Sequence, residues 1–189
     1  MNYYVINDEG VYPALAVAQE PELLGGPWYE GIPISIPLPA VLQYELVEED
    51  EAVYHIKNLY DAEAFPLMSK TLARILAGLG VNNIEYFPAQ LLNRNNQQLL
   101  DTHVAFNVLG LVAAADEATS TTFFEDQPIG LIDTDFASLT LDPSKAHGLD
   151  LFRLAENCSA IIVSDRVKEA IEAAALPGFV FYGPGEWSG

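Results

Sequence analysis

Two segments of the chain place their apolar residues with the period of a helix, and both begin on a serine. After Ser69 the apolar positions are Leu72, Ile75, Leu76 and Leu79; after Ser164 they are Val167, Ala170, Ile171 and Ala174. In both, the offsets of +3, +6, +7 and +10 gather one apolar face on a helix whose first turn a serine side chain can cap. Leu67-Met68 and Ile161-Ile162-Val163 lead into the serines. Aromatic stretches follow the helices, Ile84-Glu85-Tyr86-Phe87 in one case and Phe179-Val180-Phe181-Tyr182 in the other. The pattern predicts two strand-helix-strand units 95 residues apart. Duplication and coincidence explain the likeness equally well at this level.

Elsewhere the apolar residues read as strands. Residues 3–6 form a first candidate, and 41–47 and 53–57 flank the acidic run Glu48-Glu49-Asp50-Glu51 as a hairpin would. Ile32, Ile34 and Ile36 alternate with Pro33, Ser35 and Pro37, so that stretch is an edge strand or an extended loop. Residues 25–31, which include Trp28 and Tyr29, read as a turn region. Residues 84–92 and 102–113 pair across the polar loop 93–98, and 129–132 and 138–141 continue the strand pattern. Residues 150–154 read as a short helix or turn. The expected class is α+β, with a mixed, largely antiparallel sheet and two capped amphipathic helices in strand-helix-strand units. The organisation is a β-rich segment 1–60 followed by an α+β region 61–189 with a seam at Asp61-Ala62-Glu63-Ala64, or one compact domain 1–189.

Composition narrows the partners. Half the residues are hydrophobic and 11% are aromatic, which excludes intrinsic disorder. The net charge of −19 arises from 27 acids set against only 8 Lys and Arg. Charged residues total 19%, below the ~25% of typical chains, so the acidity reflects missing cations and not abundant carboxylates. Residues 1–56 hold ten acids and no Lys or Arg, and 95–144 hold eight acids and none. Such a chain has no basic footprint for nucleic acid and is repelled by anionic membranes. The start, MNYYVINDEG, has neither the basic nor the apolar region of a secretory signal, and the longest uncharged stretches fall short of the ~20 residues of a membrane helix. A cytoplasmic location is expected. The lone Cys158 cannot form an internal disulfide.

Candidate chemistry is sparse. Nucleotide-binding loops, HExxH, CxxC and GxSxG are absent from the sequence. His55, His103 and His147 stand more than forty residues apart, without the spacing of a ligand set, and read as structural or surface residues. Asp133-Thr134-Asp135 would put two carboxylates on one side of a strand, as a metal-dependent hydrolase needs, but also suits a solvated turn. Cys158 reads as a small buried side chain. Arg153, a rare cation in an acidic chain, is expected to be claimed by an internal carboxylate. Trp28, Tyr29 and Trp187 are core or interface aromatics. The tail Gly183-Pro184-Gly185-Glu186-Trp187-Ser188-Gly189 reads as a turn. The two cation-free windows are where a partner-facing acidic surface is expected, with Glu48, Glu49, Asp50 and Glu51 in the first and Glu125 and Asp126 in the second. No cofactor or metal is expected.

Several segments taken in order carry a likeness: Met68-Ser69, Ile84-Glu85-Tyr86-Phe87-Pro88, Val104-Ala105-Phe106-Asn107-Val108-Leu109 and Leu151-Phe152-Arg153-Leu154. Ile161-Ile162-Val163-Ser164-Asp165-Arg166-Val167 and Gly178-Phe179-Val180-Phe181 complete it. Together they resemble the bacterial immunity protein 11 family over residues 60–182, with a weaker match from Trp28 to Gly31. The resemblance implies a protein encoded beside a polymorphic or contact-delivered toxin, which it neutralises by binding and without catalysis. If that toxin is basic, a charge of −19 steers the encounter. Two other readings stand beside it: an adaptor or secretion chaperone for an effector, and a small metal-dependent hydrolase using Asp133, Asp135 and a histidine. The oligomeric state is left open.

Overall fold

The computed structural model describes residues 1–8, 27–47, 55–61, 65–124, 128–132 and 134–189, together with the backbone of 16–19. The first half holds β1 (Tyr3–Asn7), β2 (Ala16–Gln19), β3 (Leu42–Val47), β4 (Leu59–Tyr60), β5 (Leu67–Ser69), α1 (Lys70–Gly78) and β6 (Ile84–Asn93). The second holds β7 (Gln98–Leu100), β8 (His103–Val108), β9 (Leu111–Val112), β10 (Thr121–Thr122), β11 (Phe136–Ser138), β12 (Leu151–Leu154), β13 (Ile161–Ser164), α2 (Asp165–Ala173) and β14 (Val180–Tyr182). One sheet runs β14-β1-β13-β12-β9. The other runs β2-β3-β6-β8-β5-β4, with β7 also on β6, and β10 and β11 form a small pair. Only β3–β6 and β9–β12 are parallel among these pairings, so the class is α+β on mixed, largely antiparallel sheets.

Both helices start where the serines predict. Ser69 Oγ accepts from the Leu72 N–H at 3.1 Å, and Ser164 Oγ accepts from the Val167 N–H at 3.4 Å. Each cap satisfies one of the N–H groups that the first helical turn leaves unpaired. The offsets +3 and +7 are fully buried in both helices, as Leu72 and Leu76 and as Val167 and Ile171. These four side chains share one core, which Phe106 of β8 and Ile6 of β1 back from the two sheets.

The two units also share a hydrogen-bonded plan. Between β5 and β6 lies antiparallel β8, and between β13 and β14 lies antiparallel β1. On the outer side, β4 pairs with β5 as β12 pairs with β13. The Ser69 N–H donates to the Asn58 carbonyl at 2.8 Å, and the Ser164 N–H donates to that of Asp150 at 2.9 Å. The first helical N–H groups, of Lys70 and Asp165, donate to Thr102 and Asn2 of the inserted strands' leads at 2.8 and 3.0 Å. The order β4-β5-β8-β6 is thus repeated as β12-β13-β1-β14. The inserted strand follows its unit in the first case and opens the chain in the second, so the two plans are related by circular permutation.

Several expected elements differ. Residues 150–154 were expected as helix or turn, but 151–154 form β12, wholly buried between β13 and β9. Arg153 interrupts its apolar run and hides the strand, yet that guanidinium is itself buried. Of the hairpin expected between 41–47 and 53–57, residues 48–54 lie outside the described residues. β3 pairs with β2 and β6, and the described part of the second segment, 55–57, is no strand and offers only an isolated bridge at His55. Residues 32–37 take the extended-loop alternative, consistent with prolines that cannot donate to a ladder. The stretch 102–113 is broken into β8 and β9 at Gly110, which has φ +86° and donates to the Gly31 carbonyl at 2.7 Å. A Cβ on Gly31 would lie 2.9 Å from the Gly110 carbonyl carbon, so this crossing requires glycine. Residues 129–132 form no strand and are mostly exposed. No helix among the described residues is long and apolar enough to cross a membrane.

Candidate partner-binding surface

Among the described residues the most deeply buried charged side chain is that of Arg153. Its side chain is fully buried, and it donates to Asp61 Oδ1 at 2.7 Å and to the Cys158 carbonyl at 2.9 Å. Its guanidinium lies 4.4 Å from the Tyr29 ring centroid, and the Tyr29 hydroxyl donates to the Asp61 carbonyl. Burial raises the Asp61 carboxyl above the usual range, and the Arg153 charge and hydrogen bond oppose that rise. Asp61 follows β4 as Arg153 falls in β12, so the pair joins corresponding positions of the two units. This is the internal ion pair expected of a scarce cation, and it ties the halves together.

The remaining sequence candidates are dispersed. Glu48, Glu49, Asp50, Glu51, Glu125 and Asp126 lie outside the described residues, as does Asp133. Asp135 is exposed, and Thr134 between the two aspartates is buried. His103 is buried and held by the Lys57 carbonyl at 2.8 Å, which is a structural role, while His55 and His147 are exposed. Burial lowers the His103 imidazole. Cys158 was expected to be buried but is only half-buried; its carbonyl, not its thiol, meets Arg153. Trp28 and Trp187 resolve as core: Trp28 packs edge-on against Phe65 and Phe87, and Trp187 packs at a tilt against Phe136.

Asp8 is the other perturbed carboxyl. Burial pushes it up to about 6, against the pull of Lys57 and the Leu59 N–H, and its Oδ2 is buried without a hydrogen-bond partner among the described residues. A cavity of about 300 Å³ lies between β1 and the 139–143 segment, lined by Tyr3, Val5, Leu139, Leu141 and Tyr182 among others. Among the described residues no carboxylate, imidazole or thiol lines it, and its titratable groups are the phenols of Tyr3, Tyr4 and Tyr182.

The outer surface is more informative. Phe123, Phe124, Leu131 and Ile132 are 60%, 65%, 67% and 56% exposed, all on the excursion that leaves β10 and returns at β11. Single exposed apolar residues are ordinary, but four large ones on one excursion are not. Fully burying such a side chain is worth ~1.5–3 kcal/mol, so this surface stands to gain from a cover.

The limbs of the excursion are firmly based. The Phe123 N–H donates to the Asp135 carbonyl at 3.2 Å, and Phe136 is fully buried and hydrogen-bonded to Gly189 in both directions. The Ile132 N–H donates to the Ala155 carbonyl at 2.8 Å, and the Thr134 N–H donates to that of Glu156 at 2.9 Å. Thr134 Oγ1 closes the turn by bonding both the N–H and the carbonyl of Gly130. Within this turn Ile132 has φ +86°, a conformation that β-branched residues rarely enter and that costs ~1–3 kcal/mol. The surroundings hold it there while its side chain faces solvent.

These four residues were missed in the sequence, where 129–132 looked like another sheet strand. A visible signal was the absence of any period: Phe-Phe, Pro-Ile-Gly and Leu-Ile are interleaved with acids from 116 to 135 without a base.

The molecule is therefore an α+β protein whose two units are joined by an ion pair of a buried guanidinium, with exposed apolar residues gathered between β10 and β11. The model of the Immunity protein family (Imm11) matches residues 12–185, and the chain belongs to that family. Membership carries a toxin-neutralising role and a toxin as the general kind of partner. No curated protein matches the chain.

Proposed function

We propose that this chain is a non-catalytic immunity protein that binds a cognate toxin or effector domain directly, in the cytoplasm, and blocks it. The observation that carries the reading is membership of an immunity family across nearly the whole chain. Three features support it. The excursion carries apolar side chains that a partner could cover. The charge of −19 suits a basic partner and would speed its encounter. The scaffold is closed by capped helices and an ion pair between its two units, as a stable binding partner needs. Glu125 and Asp126, next to Phe124 in the chain, and the run Glu48 to Glu51 are proposed as acidic contributors to partner attraction.

The test is co-expression with the toxic domain encoded beside this chain's gene, together with pull-down of the two purified proteins. The reading expects restored growth and a stable complex. Complex formation without protection would instead describe an adaptor or secretion chaperone, and protection without a complex would point to catalysis on the toxin or its product.

A further inference from the structure

We infer that Phe123, Phe124, Leu131 and Ile132, between β10 and β11, are docking residues that seat in an apolar depression of the toxin whose rim carries Lys or Arg. This rests on the reading that the chain binds a toxin, and adds to it a surface and the chemistry of the surface it meets.

The four side chains are 56% to 67% exposed, while the residues at the base of the excursion, Thr134 and Phe136, are buried. The exposed side chains thus stand next to residues anchored in the core. Ile132 reinforces the argument. Its φ of +86° would suit glycine, yet the chain keeps a large apolar residue there and points it at solvent. Among the described residues nothing covers that side chain, which leaves it free to meet a partner. Aromatic and aliphatic side chains on a fixed backbone are the usual anchors of a protein interface.

Charge selects the occupant. Residues 116–135 hold six acids and no Lys or Arg, and of these Glu117 and Asp135 are seen to be exposed. A second copy of this chain would bring the same acids face to face across a two-fold contact. An anionic lipid surface would be repelled for the same reason. A protein with an apolar depression and a cationic rim meets both the patch and its surround.

The experiment uses the full-length chain and the purified toxin domain encoded beside it, measuring affinity, association and dissociation rates, and thermal stability. Phe124→Ser combined with Leu131→Ser is expected to weaken binding by ~100-fold, about tenfold for each anchor, mostly through faster dissociation, with the melting temperature unchanged. Ile132→Gly is expected to weaken binding by ~10-fold while the melting temperature holds or rises, an outcome a merely structural isoleucine would not give. Asp135→Lys is expected to slow association several-fold with little effect on dissociation. Leu99→Ser, at a residue 57% exposed on β7, is the control and should leave binding unchanged. Wild-type affinity in the Phe124/Leu131 variant would overturn the docking inference while leaving toxin neutralisation standing. Absence of both binding and protection by the wild type would overturn both. Self-association of the wild type that the Phe124/Leu131 variant abolishes, with toxin binding intact, would assign the patch to a second copy and overturn the inference.

Discussion

Arg153 shows how much a single residue's chemistry can disclose. A cation in a chain with only eight of them, set inside an apolar run, had to be neutralised internally, and that much was legible. Its partner was not, because Asp61 lies 92 residues away and only the packing of the two units brings it to 2.7 Å. Breaking such a pair from one side leaves a buried charge alone. Arg153→Ala should therefore lower unfolding free energy by ~3–5 kcal/mol, measured by urea denaturation. Arg153→Met combined with Asp61→Leu should recover only part of that loss, because the Cys158 carbonyl and the Tyr29 ring still lose their partner. Asp8 gives a prediction with a sign. Its carboxyl, pushed up to about 6 from 3.8, is ionised at neutral pH at a cost to the fold, and that cost disappears as the group protonates. Asp8→Asn should raise the melting temperature at pH 7.5. Its advantage should shrink as pH falls through 6 and vanish below the unfolded value near 3.8, the wild type gaining stability from this group over the same interval.

At the level of elements, the helices were the most legible part because one local signal fixes both their start and their buried face. Ser69→Ala and Ser164→Ala should each destabilise by ~0.5–2 kcal/mol in chemical denaturation. The second should cost more, because Ser164 is fully buried and its hydroxyl also donates to Asp150 Oδ1 at 2.7 Å. Strands were less legible where a polar residue had a buried partner. β12 was hidden by Arg153, and the stretch 129–132 imitated a strand because apolar residues meant for a partner look, in sequence, like residues meant for a core. The docking excursion was missed for that physical reason: hydrophobicity alone does not say which surface will cover it.

Over the whole molecule, the repeated strand-capped helix-strand pattern was visible, but its closure was not. In the second unit the central strand is β1, from the opposite end of the chain, and no local period announces a pairing such as Tyr3 with Ser164. The resulting body joins two like units through one shared core and one ion pair, and among the described residues four of the eight exposed large hydrophobic residues lie between β10 and β11. The low number of cations acquires a meaning at this scale. Arg153 is committed to the interior, and Arg166 and Arg94 to ion pairs with Asp150 and Glu45; Lys70 pairs with Asp101 of the 95–144 window, which has no base of its own. The account's central claim is direct binding of a toxin, and calorimetric titration of this chain into the purified toxin domain encoded beside it tests that claim most directly. The account predicts a saturable complex whose formation removes the domain's toxic activity. No heat of binding and undiminished activity at micromolar concentrations, in a pair that still protects cells, would contradict it.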